Sequence, residues 1–332
     1  MKKALVTGAG GFLGRHLVAE LLRGGDEVTA VLRPSRAVPS ELEGAEVLRA
    51  DLRRRDALEG VDLASIDVIH HLAASLMPPW RSMFEANVTA TEHVLETLAE
   101  ANWRRRFVHV STFAVYALNQ LEPNSLVDEF TPLEPHPGRR DDYAWTKLLQ
   151  ERLVRRFGET AGVELVIVRP GAVYGSERAW QHRVGRQLSS RVVLMFGGHN
   201  LVPLSYVANT ASLLAAAGRH PDAPGEVLNA VDPDPPTQRV YLNDWRAAQR
   251  GATLVIRLPL AVLRLAGAGF TVAERVTRGS VAPPGLFHPY VITPTMRPFR
   301  YASRAEAVLG WRPPVTRADA MRMTFDRPRR HC

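Results

Sequence analysis

Short apolar runs alternate with amphipathic stretches along the first two thirds of this chain. The apolar runs predict strands at 3–8, 27–33, 45–51, 67–74, 106–112, 164–170 and 226–232. Apolar positions three and four residues apart predict helices at 13–25, at 83–102, around position 143 and at 206–218. Continuous apolar strands separated by helices are typical of a parallel sheet covered on both faces. The pattern therefore predicts an α/β fold with a doubly wound parallel sheet.

The last third of the chain is less regular. Proline-rich joints mark loops at 233–236, 283–284, 289–298 and 313–314. We therefore expect a sheet domain formed by 1–170 and by about 201–232, and a smaller, interleaved C-terminal domain formed by about 171–200 and 233–332.

A glycine-rich loop joins the first predicted strand to the first predicted helix. The segment TGAGGFLG at 7–14 places Gly8, Gly11 and Gly14 at GxxGxxG spacing, with Phe12 and Leu13 inside it. Glycines at such a junction permit a tight turn and let backbone N–H groups approach a pyrophosphate at the helix N-terminus. This placement predicts that the sheet domain is of the Rossmann type and binds a dinucleotide.

The end of the second predicted strand bears on the choice of dinucleotide. The sequence VLRPSR places Leu32 and Arg33 where an acidic residue would bind the free 2′-hydroxyl of NAD. Arg33 can instead pair with a 2′-phosphate, and Arg36 can assist it. The sequence favours NADP(H) as the cofactor, with NAD(H) as the alternative.

A tyrosine and a lysine stand four residues apart in the segment DDYAWTKLLQER at 141–152. On a helix, Tyr143 and Lys147 lie one turn apart on the same face. An ammonium group held near a phenol favours the phenolate, so we expect the pKa of Tyr143 to be lowered. A tyrosine that exchanges its proton near neutral pH acts as a general acid or base.

With the glycine loop, this pair makes the sequence resemble the extended short-chain dehydrogenase/reductase family, of the NAD-dependent epimerase/dehydratase type. The resemblance extends over nearly the whole chain through ADL at 50–52, HHLAA at 70–74, NVTATEHVLE at 87–96, VHVSTFAVY at 108–116, VRPGAVYG at 168–175 and LGWRPPV at 309–315. It implies that the sheet domain binds the dinucleotide and that the C-terminal domain binds substrate. It also implies a homodimer formed through helices at 87–102 and 143–158.

The resemblance assigns roles to individual residues. Thr112 matches the catalytic Ser/Thr of the family, with Ser111 as the second candidate, and it acts with Tyr143 and Lys147. The implied cofactor contacts are Gly8, Gly11, Phe12, Leu13, Gly14, Arg33, Asp51, Leu52, Leu72, Ala73, Ala74, Asn87, Lys147, Pro170 and Val173. Among them, Asp51 would contact the adenine, and Asn87 would hold the central strand–helix geometry near the nicotinamide. The implied substrate contacts are Ser75, Leu76, Thr112 and Tyr143.

Two departures from the family pattern argue against two of the reactions that family members catalyse. Dehydratases of the family place an Asp-Glu pair after the catalytic threonine, where this chain has Phe113 and Ala114. The 3,5-epimerising branch uses an active-site cysteine, whereas the only cysteine here is Cys332. Neither reaction is therefore expected.

Two reactions stay open. The favoured one is NAD(P)-dependent hydride transfer between nicotinamide and a carbonyl or alcohol carbon of a small molecule, with Tyr143 as general acid/base and an apolar pocket at 76–80. The alternative is a nucleotide-sugar 4-epimerase that retains NAD and binds a diphosphate through Arg183, Arg186 or Arg191. A non-catalytic NAD(P)-sensing protein is disfavoured, because the catalytic threonine, tyrosine and lysine are all present.

Composition and charge limit the partners. The 332 residues carry a net charge of +8, but their basic residues occur in short runs without interleaved aromatics, so no nucleic-acid partner is expected. A single cysteine excludes an internal disulfide, and the N-terminus lacks a signal-peptide pattern, which favours the cytoplasm. The most apolar stretch, 252–270, is interrupted by Arg257, Pro259 and Arg264. It predicts a buried strand and helix, or a substrate wall, rather than a membrane span. No metal-site spacing is present.

Overall fold

The computed structural model describes residues 1–76, 79–189, 191–249, 253–258 and 297–325, together with positions 262, 265, 269 and 276. Its strands are β1 Lys3–Thr7, β2 Glu27–Leu32, β3 Glu46–Arg49, β4 Val68–His71, β5 Arg106–Val110, β6 Leu126–Val127, β7 Glu164–Pro170, β8 Ala172–Tyr174, β9 Gly185–Ser189, β10 Val192–Phe196, β11 Leu204–Tyr206, β12 Val227–Ala230, β13 Leu254–Leu258 and β14 Arg300–Tyr301. Its α-helices are α1 Phe12–Arg23, α2 Trp80–Phe84, α3 Ala90–Glu100, α4 Asp142–Ala161, α5 Val207–Arg219, α6 Gln238–Ala247, α7 Ala305–Leu309 and α8 Arg317–Phe325.

Seven parallel strands form the central sheet in the order β12-β7-β5-β4-β1-β2-β3. This order confirms the predicted doubly wound sheet of the Rossmann type. The late strand β12 belongs to the same sheet, as expected, and pairs with β7. The chain runs outward from β1 to β3 on one side and then crosses to β4 on the other. The carboxyl ends of β1 and β4 therefore border the crevice where such sheets bind their ligands.

Alternate residues of the strands face two layers of helices. Ala4 and Val6 of β1 pack with apolar side chains of α1 and α5. Leu5, between them in sequence, faces the other way and packs with side chains of α3 and α4. Because both faces of the sheet are covered, its strands carry the continuous apolar runs seen in the sequence. Whether α3 and α4 also pair two copies of the chain stays a prediction.

The helix predicted at 83–102 is not one regular helix. A π-helical turn, Glu85–Thr89, separates α2 from α3. Asn87, in this turn, is fully buried and hydrogen-bonds Ser75 and Thr146 on neighbouring segments. Turns of this kind occur frequently at functional sites, because they redirect a side chain without ending the helix.

The later part of the chain adds small sheets beside the central one. β9, β10 and β13 form a three-stranded sheet, β8 pairs with β11, and β6 pairs with β14. β13 confirms a strand in the apolar stretch at 252–270. It is not buried on both faces: Val255 packs against an apolar cluster, whereas Leu254 and Ile256, on the opposite face, are 61% and 40% exposed. Most of the rest of that stretch lies outside the described residues.

The division into two domains stays a prediction. α7, from the predicted C-terminal domain, places Ala305 and Leu309 in the apolar cluster formed by the central sheet with α1 and α5. In the part of the chain that the structure describes, no helix combines the length and the apolar character that crossing a membrane requires.

Three buried histidines on β4 and β5 predict an acid-sensitive fold. Burial lowers the pKa of His70 and His71 to about 3 and that of His109 well below its ordinary value. Each histidine is therefore neutral in the folded state and gains a proton on unfolding once the pH is below about 6.5. For each histidine, the free energy of unfolding falls by about 1.4 kcal/mol per pH unit as the pH drops from there towards the folded pKa.

In His109→Leu, the free energy of unfolding should fall less steeply with decreasing pH than in the wild type, by the contribution of one histidine. Neither ring nitrogen of His109 has a hydrogen-bond partner among the described residues, so the leucine loses no hydrogen bond at neutral pH. The measurement is urea unfolding between pH 7 and pH 5, with the exposed His136→Leu as a control that keeps the wild-type slope. An unchanged slope in His109→Leu would contradict a neutral, buried His109.

Candidate active site

The glycine loop turns tightly over the end of β4. Gly8 has a φ of +70°, and a Cβ atom there would lie 2.9 Å from the backbone nitrogen of Ala73. A Cβ atom on Gly14 would lie 2.2 Å from the carbonyl oxygen of Gly8, which also accepts a 2.9 Å hydrogen bond from the N–H of Gly11. The loop is therefore a cradle of bare backbone at the N-terminus of α1, and it fits a pyrophosphate.

Basic side chains flank this cradle at the end of β2. Arg33 is exposed there, and Arg36 donates a 3.2 Å hydrogen bond from Nη2 to the carbonyl oxygen of Gly10. Asp51, at the end of β3, accepts hydrogen bonds from Nε and Nη2 of Arg53 at 2.9 and 2.5 Å. The Arg53 side chain lowers the pKa of Asp51, with burial opposing it. Leu52, which follows Asp51, is buried in the core.

The segment after β4 is fixed against α4. Leu72 and Ala73 lie half-buried beneath the glycine loop, and Ala74 is exposed. Asn87 accepts a 2.6 Å hydrogen bond from the N–H of Ser75 and donates to the Ser75 carbonyl oxygen at 3.1 Å. Its amide also donates to Oγ1 of Thr146 at 2.9 Å. Asn87 thus has the predicted structural position, joining the end of β4 to the helix of the proposed catalytic residues.

Thr112, Tyr143 and Lys147 meet at the carboxyl end of β5. Asp141 caps α4 by accepting a 2.9 Å hydrogen bond from the N–H of Ala144, which places Tyr143 in the first helical turn. The side chain of Thr112 lies beside that of Tyr143 and acts to lower the pKa of the phenol. Lys147 is 2% exposed, and its Nζ donates to the carbonyl oxygen of Val110 at 2.7 Å.

The predicted lowering of the Tyr143 pKa is wrong for this structure. Burial raises the pKa of the phenol, while the Thr112 side chain and the nearby Arg178 cation oppose it. Lys147 does not offset the burial, because its ammonium is directed at Val110 and at the side-chain oxygen of Gln150. Burial in turn lowers the pKa of Lys147 to about 7.

Ser111, the second candidate for the catalytic hydroxyl, faces elsewhere. It is 4% exposed, and its Oγ donates a 2.5 Å hydrogen bond to Glu151 on α4. The structure therefore brings Thr112, not Ser111, to the tyrosine. Sequence reasoning did not identify Glu151, although its spacing of four residues from Lys147 places both on one helix face.

The end of β7 lies beside this centre. The N–H of Ser111 donates to the carbonyl oxygen of Val168 at 2.7 Å, which sets the buried Pro170 two residues further along the neighbouring strand. Val173 is half-buried in β8, and a Cβ atom on Gly175 would lie 3.1 Å from the ring of Phe12 in the glycine loop. The segment at 170–175 thus connects the tyrosine side of the crevice to the phosphate side.

Other predicted site residues are less well placed. Leu76 is 51% exposed at the rim, and Met77 and Pro78 lie outside the described residues. Trp80 packs against Trp145, with ring centroids 4.3 Å apart. The arginines considered for a diphosphate do not converge: Arg183 is half-buried and acts to lower the pKa of Tyr301, whereas Arg186 and Arg191 are exposed.

Among the side chains that the structure describes, no group of His, Cys, Asp and Glu is arranged to hold a metal ion.

The fold and the site together define a dinucleotide-binding α/β protein. It has a doubly wound sheet, a glycine loop at the point where the strand order reverses, and a Thr-Tyr-Lys set at the end of β5. Residues 4–230 match the NAD dependent epimerase/dehydratase family. The chain belongs to this family, which includes NAD-dependent reductases and epimerases of the extended short-chain dehydrogenase/reductase type.

Individual relatives and solved structures are named as reductases or as epimerases. The chain is 32% identical to the 4-hydroxy-2-methyl-3-oxo-4-farnesyl-3,4-dihydroquinoline-1-oxide ketoreductase of Stigmatella aurantiaca, over 80% of this chain and 78% of the relative. It is 32% identical to cinnamoyl-CoA reductase 1 of Petunia hybrida, over 51% of this chain and 54% of that relative. In fold it resembles the UDP-glucuronic acid 4-epimerase from Bacillus cereus in complex with NAD, with a TM-score of 0.69, 22% identity and coverage of 98% and 96% of the two chains.

Proposed function

We propose that this protein is an NADP(H)-dependent oxidoreductase that transfers a hydride between nicotinamide and a carbonyl or alcohol carbon of a small molecule. The observation that carries the proposal is that Thr112 lies beside Tyr143, with Lys147 one turn further along α4. These are the groups that proton transfer to a reacting oxygen requires. The glycine cradle, which a Cβ atom at Gly14 would fill, supports a dinucleotide bound beside them.

Tyr143 can supply the proton that reduction of a carbonyl requires. When bound, the nicotinamide supplies the hydride. Because burial raises the pKa of Tyr143, the phenol holds its proton at neutral pH and is ready to donate it to a carbonyl oxygen. Thr112 would hydrogen-bond the same oxygen and stabilise the negative charge that develops there. Lys147 would bind the nicotinamide ribose, and Ser75 and Leu76 would contact the substrate.

Two of the named relatives support a reductase. The Stigmatella aurantiaca and Petunia hybrida proteins are each named as reductases, and the first covers most of this chain. Arg33 and Arg36, exposed at the end of β2 with no acidic residue between them, favour a cofactor with a 2′-phosphate.

The test begins with the nucleotide. The purified protein is denatured, and any released nucleotide is identified by chromatography; the undenatured protein is then titrated with NADPH and NADH. The proposal expects little retained nucleotide, tighter binding of NADPH, and oxidation of NADPH with members of a panel of ketones and aldehydes. Near-stoichiometric NAD⁺ would instead support the nucleotide-sugar 4-epimerase, and binding of neither nucleotide would overturn both functions.

Arg33→Ala should weaken NADPH binding about tenfold and leave NADH binding unchanged, because a charge-assisted hydrogen bond to the 2′-phosphate contributes at least about 1.4 kcal/mol. The measurement is energy transfer from tryptophan to the bound reduced nicotinamide. Arg104→Ala is the matched control, since Arg104 is also exposed but lies beyond the end of α3. An equal loss for both nucleotides would contradict a role of Arg33 in 2′-phosphate recognition.

A further inference from the structure

Three residues spaced four apart on α4 contact three consecutive residues at the end of β5. The first brings Thr112 beside Tyr143, as described above. The second joins Nζ of Lys147 to the carbonyl oxygen of Val110, at 2.7 Å. The third is the 2.5 Å hydrogen bond from Oγ of Ser111 to the Glu151 carboxylate. Because Ser111 stands between Val110 and the catalytic threonine, the third contact holds the strand end on which that threonine sits.

The Glu151 carboxylate is itself held by a buried ion pair. Glu151 and Arg169 of β7 are 1% and 2% exposed, and the Arg169 guanidinium donates to both carboxylate oxygens. Arg155, one turn along α4, donates to the same carboxylate at 3.0 Å. Burial acts to raise the pKa of Glu151, but Arg169, Ser111 and Arg155 outweigh it, and the pKa is lowered. The carboxylate is therefore ionised at neutral pH, and its oxygens are occupied.

Arg169 is also held by contacts on the side away from Glu151. Nη1 of Arg169 donates to the hydroxyl of Tyr116 at 3.2 Å, and that hydroxyl donates to Oδ1 of Asn229 at 2.6 Å. The Asn229 amide donates to the carbonyl oxygen of Ala302 at 3.0 Å, in the segment that leads into α7. This anchor keeps Arg169, and with it Glu151, from moving to another partner.

We propose that Glu151 is a positioning residue for the hydride-transfer site: with Arg169 it fixes Ser111, and hence the adjoining Thr112, opposite Tyr143, and its carboxylate faces Lys147 across one helical turn. The proposal rests on the proposed function. Displacing a catalytic hydroxyl by about 1 Å can lower the rate about a hundredfold, so a rigid support for it has a direct chemical effect.

The same carboxylate favours the charged form of Lys147. Beyond Glu151, the titratable groups near Lys147 among the described residues are Tyr143 on its own helix and the neutral His71 and His109 on β4 and β5. Among these groups Glu151 alone is an anion at neutral pH, and it opposes the lowering of the Lys147 pKa by burial. Removing its charge should make Lys147 lose its proton at a lower pH.

The deciding experiment measures the affinity for NADPH against pH, which requires no knowledge of the substrate. In the wild-type protein, affinity should fall as the pH rises through the Lys147 pKa, and Lys147→Met should remove this step. Glu151→Gln should move the step about one pH unit lower. Asp26→Asn is the matched control, because it also breaks a partly buried ion pair, with Arg219, but at the opposite end of the strands. It should lower stability and leave the step in place.

A profile of Glu151→Gln that overlays the wild type would overturn the role of Glu151, even where hydride transfer is confirmed. A wild-type protein that binds neither nucleotide would overturn the proposed function and this role with it. If Glu151→Gln does not fold, Ser111→Ala decides, because it removes only the hydroxyl contact and keeps the ion pair. Ser111→Ala should lower kcat about tenfold with KM within about threefold, and an unchanged kcat would overturn the role.

Discussion

Replacing Tyr143 by phenylalanine is expected to lower kcat for carbonyl reduction about 10³-fold, while the affinity for NADPH stays within about threefold of the wild type. The change removes one oxygen atom and keeps the ring that is half-buried in the first turn of α4. Without the phenol, the Thr112 hydroxyl can still bind the carbonyl oxygen, but it has no acidic group beside it to supply the proton. The loss therefore falls on the chemical step rather than on binding.

The measurement compares NADPH oxidation with the best carbonyl substrate of the panel, under saturating cofactor. Tyr206→Phe is the matched control: Tyr206 is a buried tyrosine whose hydroxyl contacts the sulfur of Met323, and it lies outside the proposed site. Its kcat should match the wild type. If Tyr143→Phe retained more than about a tenth of the wild-type kcat, another group would have to supply the proton.

The pH dependence of kcat in the wild-type enzyme tests the role of Tyr143 independently. Because burial raises the pKa of Tyr143, the acid form persists through neutral pH, and kcat for reduction should fall only at alkaline pH. Tyr143→Phe should lack this alkaline fall. A wild-type profile that falls already below neutral pH would indicate that the pKa of the phenol is lowered, not raised, in the working enzyme.

The parts of the site that sequence reasoning found are those with a local signal. The spacing of Gly8, Gly11 and Gly14 depends only on one turn, and the spacing of Tyr143 and Lys147 depends only on the period of a helix. The doubly wound parallel sheet followed from the alternation of apolar runs with helical patterns. These features need no knowledge of which distant segments touch.

The parts that it missed depend on contacts between distant segments. Glu151 and Arg169 each resemble a surface charge until β7 is placed beside α4. The π-helical turn forms around Asn87, whose partners lie 12 and 59 residues away. The pKa of Tyr143 was predicted in the wrong direction, because a helical spacing shows that Lys147 is near but shows neither the burial of the phenol nor the direction of the ammonium.

Replacing Gly14 by alanine is expected to weaken dinucleotide binding at least about a hundredfold, because relieving the overpacking costs about 3 kcal/mol. The added Cβ atom would lie 2.2 Å from the carbonyl oxygen of Gly8 and 2.9 Å from Cα of Ala9, and both neighbours are backbone atoms that cannot rotate away. The turn must open, and its N–H groups would move away from the position of the pyrophosphate.

Gly10→Ala separates this steric effect from the mere addition of a methyl group to the same loop. Its Cβ atom would meet Cγ of Arg36 at 3.2 Å, and a flexible arginine side chain can shift. Titration with NADPH should therefore show a loss for Gly10→Ala that is well below that for Gly14→Ala. Equal and small losses would mean that the cofactor does not depend on the closed turn. Because the expected loss arises from the backbone at Gly8, it should be the same for NADPH and NADH, unlike the loss in Arg33→Ala, which concerns the 2′-phosphate alone.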